Sequence, residues 1–525
     1  MSRELFRSTL VTGGMTLISR ITGLVRDIVF ARIIGAGVGI GADAFYVAFR
    51  IPNFLRRIFG EGAFSQAFVP VFSEYRARHS HAEVREFADR MTGALGLILF
   101  LVTLVGVIAA PLIVMALAPG FSGEKFELTA QMLRITFPYL LFISLVAMAA
   151  GMLNTYGRFG VAAFTPVLLN VCMIGAALWL APRMQEPVLA LAWGVFIAGV
   201  AQLLFQLPFL KRIGLLPRPR LKRNHDGVGR VFRLMLPAIF GVSIAQINML
   251  VNTLLASFLV TGSVSWLYYS DRLMEFPLGV FGIALATVIL PSLSRKHAEA
   301  SREEFSQLLD WAMRWVWLIS LPAALALIVL AEPLLATLFL YGAFTAHDVD
   351  MSARALQAFA FGLLGFVLIK VLAPGFYARQ DTRTPMRIGA LSMLANIVLS
   401  LALVGPLKHV GLALAISLAA FVNAGLLYVR LRRQQAYAPQ PGWAVFIIRI
   451  ALASAVMAGV LVWGAGDAQS WLAAPVMTRI GRLTFWVIVG MLIYLLGLLA
   501  VGVRPRMLLL KPAPAGREEG DVNQR

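Results

Sequence analysis

The sequence predicts an all-α polytopic membrane protein. About fourteen transmembrane helices are expected, as two six-helix halves in a pseudo-twofold arrangement plus two extra C-terminal helices. Three observations carry this. Hydrophobic residues make up 59% of the 525 residues and charged residues only 14%, where a soluble globular chain carries about a quarter charged residues. Apolar runs near bilayer length, about 20 residues, recur along the whole chain. Lys and Arg crowd into alternate connections between those runs, which is the positive-inside pattern.

In order, the apolar runs lie at roughly 9–34, 41–64, 91–116, 130–153, 162–181, 188–209, 231–259, 265–292, 312–340, 353–377, 386–405, 409–429, 443–465 and 483–503. The first is long and carries Arg20 and Arg26, with no small-residue cleavage site after a short apolar core, so it reads as a retained helix. Arg56, Arg57, Arg76, Arg78, Arg85 and Arg90 accompany the connection from run two to run three. The connection from run six to run seven holds Lys211, Arg212, Arg218, Arg220, Lys222, Arg223, Arg230 and Arg233. Further basic groups follow at Arg295, Lys296 and Arg302, at Arg379, Arg383 and Arg387, and at Arg430, Arg432 and Arg433. The intervening connections are nearly bare. Residues 35–42, 260–264 and 341–352 hold no Lys or Arg, and Lys125, Arg183 and Lys408 stand alone in three others. Arg479 and Arg482 in the last connection are the exception. The alternation puts both termini in the cytoplasm. It also accounts for the net charge of +20, which therefore does not point to nucleic acid. Cys172, the one cysteine, excludes an intrachain disulfide and a cysteine-based metal site. The polar tail, Lys511 to Arg525, predicts disorder.

The chain reads as two related halves, a common transporter design. Phe6-Arg7 opens run one and Phe232-Arg233 opens run seven. Tyr46 and Arg50 match Tyr268 and Arg272, and Phe59-Gly60 matches Phe281-Gly282, all at an offset of 222. Pro70 corresponds to Pro291 after a one-residue slip, and Gly151 to Pro166 resembles Gly375 to Pro385, each ending in Thr-Pro. The division expected is 1–222 for helices one to six, 223–436 for helices seven to twelve, 437–505 for the last two, and 506–525 for a cytoplasmic tail. Six helices is an even number, so both halves enter from the same side and the repeats are parallel.

Charges inside membrane runs carry the functional signal, because each costs a few kcal/mol unless it faces a polar cavity. Asp43, Arg50 and Arg57 recur every seven residues and so share one face of a helix, as do Ser19 and Arg26. Arg272 and Glu275 are helical neighbours three apart. Pro52 and Pro277 follow these charges and predict bends. The planar guanidinium fork suits phosphate. Arg20, Arg26 and Arg272, with Arg50 or Arg56, form a candidate diphosphate site. Asp43 and Glu275 would orient the arginines or pair with them, and the sequence leaves open whether Asp43 meets Arg26, Arg50 or neither. The bland alternative is a set of internal salt bridges; the excess of cations over carboxylates argues against it for the whole set. Gly37 to Ala42 spells a glycine-rich nucleotide loop, but it joins two membrane runs with no preceding strand, so a flexible loop is expected. The six histidines are scattered, and Asn170, Asn248 and Asn396 suit interhelical hydrogen bonds.

The stretches Asp43-Ala44-Phe45 to Arg56-Arg57-Ile58-Phe59, Glu61-Gly62-Ala63-Phe64, Phe68-Val69-Pro70, Asp271-Arg272-Leu273-Met274-Glu275-Phe276-Pro277 and Ala373-Pro374-Gly375-Phe376-Tyr377 resemble the MurJ (MviN) family of lipid II flippases. The similarity runs from the first span to the fourteenth and is weakest over the last two. The resemblance implies a fourteen-helix member of the multidrug/oligosaccharidyl-lipid/polysaccharide exporter superfamily. Such a protein moves the undecaprenyl-diphosphate-linked peptidoglycan precursor, lipid II, from the inner to the outer leaflet of the bacterial inner membrane by alternating access. It further implies substrate-binding roles for Ser19, Arg20, Arg26, Asp43, Arg56, Arg272 and Glu275. It also implies a lipid-tail groove on the last two helices, along which Arg449 would lie. Lipid II and membrane lipids are the partners implied, for a monomer without a cofactor. The coupling ion stays open. The alternative transporter reading is an exporter of another lipid-linked oligosaccharide, such as an O-antigen unit. A membrane enzyme acting on polyprenyl diphosphates would need a carboxylate cluster or a histidine nucleophile, and Asp27, Asp43, Asp271 and Glu275 are instead spread over three helices among arginines. A cationic cavity would repel the cargo of a drug–cation antiporter.

Overall fold

Each apolar run coincides with helix wherever it is described. The computed structural model describes residues 3–37, 39–57, 62–221, 225–299 and 301–504. Phe59, Gly60, Glu61, Lys222, Arg223 and the tail 506–525 lie outside the described residues. The chain begins with α1 (Arg3–Ile34) and α2 (Gly41–Arg56), then α3 (Ala63–Arg78), α4 (His81–Ile108), α5 (Ala110–Leu117), α6 (Gly123–Thr136) and α7 (Tyr139–Thr155). It continues through α8 (Phe159–Gly175), a π-turn, α9 (Leu189–Arg212), α10 (Asp226–Ser257) and α11 (Ser263–Pro277). A second π-turn, Leu278–Gly282, follows Pro277 at the bend expected there and leads into α12 (Ile283–Ala298). The rest is α13 (Arg302–Val329), α14 (Ala331–Phe339), α15 (Ala346–Phe361), α16 (Leu363–Tyr377), α17 (Arg383–Arg433), α18 (Trp443–Ala465), the short α19 (Ala468–Leu472) and α20 (Val476–Ala500).

Among the described residues, nine helical stretches are long and apolar enough to cross a membrane. One is α17, which is two helices joined at Lys408, where φ 51° and ψ −131° break the helix two residues after Pro406. The nine therefore cover ten of the expected runs. The others are runs one, two, seven and eight. Runs one, two and eight carry the charges Arg20, Arg26 and Asp27, then Asp43, Arg50 and Arg56, then Asp271, Arg272 and Glu275. The helices on runs two and eight, at 16 and 15 residues, are shorter than the spans counted, and the charges they carry with run one are what mark them out chemically.

The contacts divide the chain into two compact units, residues 1–269 with 338–351, and 270–337 with 352–525. In the first, α1 packs on α8, α2 on α6, α3 on α10, and α7 and α8 on α9. Phe64, Phe68 and Phe72 repeat every four residues and so share one face of α3. They stack at 5.1 and 5.2 Å, and Phe87 of α4 closes the column at 6.1 Å from Phe68. Ser80 and Glu83 form a capping box that starts α4.

In the second unit α13 packs on α16 and α18, α16 on α17, and α18 on α20. Buried Asp310 of α13 gathers the linker before α18. It accepts from Tyr437 Oη at 2.8 Å, Trp443 Nε1 at 2.7 Å, Gln440 N at 3.1 Å and Arg314 Nε at 2.8 Å. Burial first, and then the Asp310 carboxylate, push the Tyr437 phenol well above its usual range, so it remains a donor. Asp310→Ala would strand these donors and the Arg314 charge, and is expected to cost about 3–5 kcal/mol. Thermal unfolding in detergent measures this; an unchanged midpoint would show that the linker is held elsewhere.

Arg482 explains one exception to the charge pattern. It donates to Ala465 O and Ser470 O, both at 3.3 Å, and lies 4.4 Å from the Trp471 ring centroid. It thus serves the carbonyl end of α18 and is not a free loop charge. Arg479 is buried and donates to Ala336 O.

Candidate functional site

The expected site residues fall into several groups. The first is centred on Arg26, which is 7% exposed and lies beside Asp27, which is 0% exposed. Arg26 gives Nε and Nη2 to Asp27 Oδ1 at 3.0 and 2.7 Å, Nη2 to Tyr268 Oη at 3.0 Å and Nη1 to Asn170 Oδ1 at 3.1 Å. Tyr268 Oη donates in turn to Asp27 Oδ1 at 3.0 Å. Asn170 donates to Ser19 O and to Thr22 Oγ1, both at 3.1 Å, tying α8 to α1. This is the interhelical role expected of Asn170, and Ser19 enters through its carbonyl. Neighbouring helical residues do not normally face one another, but the long Arg26 side chain turns back onto Asp27. Most of its five donors are thereby used. Arg20, two turns earlier, is half-buried and has no hydrogen-bond or ion-pair partner among the described residues.

A second group surrounds Asp43, which is 1% exposed. Its carboxylate accepts from Lys125 Nζ at 2.9 Å, Gly262 N at 2.8 Å, Ser265 N at 3.0 Å and Ser265 Oγ at 2.6 Å. Asp43 thus meets neither Arg26 nor Arg50. It sits as an anion on the positive end of α11, neutralised by the one lysine of its connection. Gly262 has φ +100°, and a Cβ there would lie 2.6 Å from the Trp266 ring, so only glycine brings this amide to the carboxylate.

The glycine-rich segment is not loose where it is described. Gly37 N donates to Asp348 Oδ1 at 2.7 Å, and Trp266 Nε1 donates to the same oxygen at 2.8 Å. The other oxygen accepts from Thr345 N and Oγ1, both at 2.9 Å. Gly35, at φ +64°, would carry a Cβ 2.4 Å from Ala343 O. A buried carboxylate and close backbone contact replace the flexibility expected of this connection. All three connections that lack Lys and Arg meet here, in the first unit.

Arg50 donates to Thr253 Oγ1, Arg56 Nε to Asn53 Oδ1 at 3.1 Å, and Arg57 Nη1 to Gln246 Oε1 at 3.2 Å. In the second unit Arg272 Nη1 lies 3.3 Å from Glu275 Oε2, with 32% and 48% of the two side chains exposed. This is the pairing expected between them. Arg449 is half-buried and donates to Gly502 O at 3.3 Å, just past the end of α20. Asp27, Lys125 and Asp348 were not singled out by the sequence as site residues. Asp27 carries the one usable signal, since an arginine buried in an apolar run needs a carboxylate partner.

The repeat offset reappears in space. Tyr46 stacks on Tyr268 with ring centroids 4.0 Å apart, and Asp43 bonds Ser265, 222 residues away. Two pairs of residues at that offset are thus in contact within the first unit.

The sequence matches the family Lipid II flippase MurJ over residues 30–482. It is 48% identical to the probable lipid II flippase MurJ of Vibrio cholerae over 513 residues, 96% of this chain and 97% of that one. It is 47% identical to the lipid II flippase MurJ of Burkholderia cenocepacia over 466 residues, 88% and 90% of the two chains. Among solved structures, a lipid II flippase MurJ in an inward closed conformation is similar, with a TM-score of 0.78 at 26% identity, covering 93% of this chain and 98% of that chain. An inward-facing multidrug resistance MATE family transporter shares the fold, with a TM-score of 0.66 at 17% identity over 81% and 98%. A helical membrane fold with Arg26, Asp27 and Asp43 buried in its first two helices, matched nearly end to end, is that of the lipid II flippase MurJ family, to which this chain belongs.

Proposed function

We infer that this chain flips lipid II from the inner to the outer leaflet of the bacterial inner membrane, as a monomer with both termini in the cytoplasm, and breaks no bond in doing so. The observation that carries the reading is the unequal commitment of the arginines. Arg26 is neutralised by Asp27, whereas Arg20 is half-buried with no partner among the described residues, and Arg272 keeps 32% of its side chain exposed with Glu275 Oε2 at 3.3 Å. On this reading Arg20 in the first unit and Arg272 in the second are each phosphate-binding residues, with Glu275 holding Arg272 in place. Arg26 with Asp27 and Asn170 keeps the first helix in register. Asp43, Arg50 and Arg56 support the helices that carry the cavity, and Arg449 belongs to the groove for the lipid tail. Alternating access follows from the exporter fold.

A leaflet assay for lipid II in cells depleted of the native protein tests this. Wild type is expected to restore outer-leaflet lipid II, and Arg20→Ala and Arg272→Ala to fail at equal abundance. A charge-assisted contact is worth about 1.5–3 kcal/mol, or roughly tenfold to a hundredfold in transport. Rescue by both variants would remove the phosphate-binding role. Normal lipid II exposure on depletion would favour another lipid-linked oligosaccharide. An inside-negative potential favours an outward-moving anion by about 2.3 kcal/mol per charge per 100 mV. Dissipating it in vesicles is therefore expected to slow flipping, and an unchanged rate would place the driving force elsewhere.

A further inference from the structure

A cavity of about 280 Å³ opens in the second unit, on the side of the arginine-rich connections. It is lined by the last turn of α12, the start of α13, the end of α16 and the residues that close α17. Its cations are Lys296, Arg302 and Arg379, with His297 beside them. Lys296 is already met by Glu299 at 2.8 Å and by Glu304. Arg379 gives Nη1 to a neutral partner, Gln434 Oε1, at 2.8 Å. Arg302 is exposed and has no hydrogen-bond or ion-pair partner among the described residues. The two arginine charges therefore have no carboxylate within ion-pairing distance among the described residues.

Backbone chemistry adds to this. Ser301, on the cavity wall, is the N-cap of the 28-residue α13, and its side chain caps no amide. The first-turn N–H groups keep the anion-attracting character of a helix start. Glu303 in that turn is engaged by Gln307 at 3.4 Å. Lys296 is taken up by Glu299 and Glu304 and Arg379 by the Gln434 side chain, which leaves Arg302 the least committed cation. Gln435 holds the opposite wall at φ 52°, closing α17 in the left-handed conformation that glycine usually supplies there. A non-glycine residue kept in that conformation marks a place where the surroundings fix the backbone. The volume is about nine times the ~30 Å³ share of one water, enough for a phosphate group and part of what it esterifies.

We propose that this cavity binds a phosphate ester or diphosphate anion through Arg302, Arg379 and the open first-turn amides of α13. Such an anion comes either from an anionic phospholipid headgroup or from solution. The site is separate from the Arg20, Arg26 and Arg272 groups and does not depend on lipid II being the cargo.

Hydrogen exchange of residues 296–305 and 434–437, in the full chain in phosphatidylcholine nanodiscs, tests the proposal. Two probes are applied: titrated inorganic pyrophosphate, and replacement of phosphatidylcholine by phosphatidylglycerol. Protection of both segments is expected with at least one. Protection by phosphatidylglycerol alone assigns the lipid headgroup; protection by pyrophosphate also, or alone, assigns a soluble source. R302Q/R379Q is expected to weaken binding about tenfold or more, the scale of lost charge-assisted contacts. R302K/R379K, which keeps the charge, is expected to retain part of the protection, separating lost charge from lost fold. R432Q/R433Q, which removes charge outside the cavity, should behave as wild type. No protection by either probe, or equal protection in R302Q/R379Q, overturns the proposal.

Discussion

Asp27→Ala is expected to destabilise the protein by about 3–5 kcal/mol, the cost of leaving one member of a buried ion pair uncompensated. The partner stranded is Arg26, at 7% exposure, and Tyr268 Oη loses its acceptor as well. Thermal unfolding in detergent and the amount of folded protein in the membrane both report the loss. Asp27→Asn keeps the shape but not the charge and is expected to fall nearly as far. The double variant R26M/D27L removes both charges at similar volume. Replacing a whole buried pair by apolar groups is often neutral or stabilising, so most of the stability should return. Transport is expected to stay lost, because Arg26 also organises Asn170 and Tyr268 around the first helix. Recovery of transport along with stability would make the pair purely structural. A stable Asp27→Ala protein would show that Arg26 is compensated elsewhere.

The second large effect is expected at Asp43. Asp43→Ala removes four hydrogen bonds at once, leaving Lys125 as a charge with 11% of its side chain exposed and the amides of Gly262 and Ser265 without their acceptor. About 3–5 kcal/mol is expected for the stranded charge, and each orphaned buried donor costs about 1–3 kcal/mol more. Asp43→Asn is no rescue, since its amide would turn donors toward Lys125 or toward a backbone N–H. Adding Lys125→Met should recover the charge component only. A double-mutant cycle separates the two: near-additive losses would show that Lys125 and Asp43 do not depend on each other, contrary to their 2.9 Å contact.

Much of this fold is legible in the sequence because membrane helices are written locally. Run length gives the spans, and a lone Lys408 after Pro406 marks the break inside α17. The offset matches Tyr46 to Tyr268 but does not say that their rings stack at 4.0 Å. What does not show is partner choice. Asp27 and Tyr268 are 241 residues apart, Asp43 and Lys125 82, and Gly37 and Asp348 311. Helical periodicity places a carboxylate on a face but cannot say which distant helix covers it. The sequence therefore leaves Asp43 between two arginines, while packing gives it a lysine from a connection that otherwise carries no basic residue. It also reads the segment after Gly35 as loose, because glycines allow freedom; here they allow contact, and a carboxylate fixes them.

Two contacts join residues that stand 222 positions apart. When two identical chains pair about a twofold axis, each residue near the axis touches its own copy. Tyr46 against Tyr268 has that self-contacting character inside one chain. Asp43 against Ser265 shows what a single chain permits. In a pair of identical copies an aspartate at this place would confront another aspartate, and two buried carboxylates would repel. Where the two positions differ, one supplies the acid and the other a hydroxyl donor. A contact barred to a symmetric pair is here a buried carboxylate that accepts four hydrogen bonds.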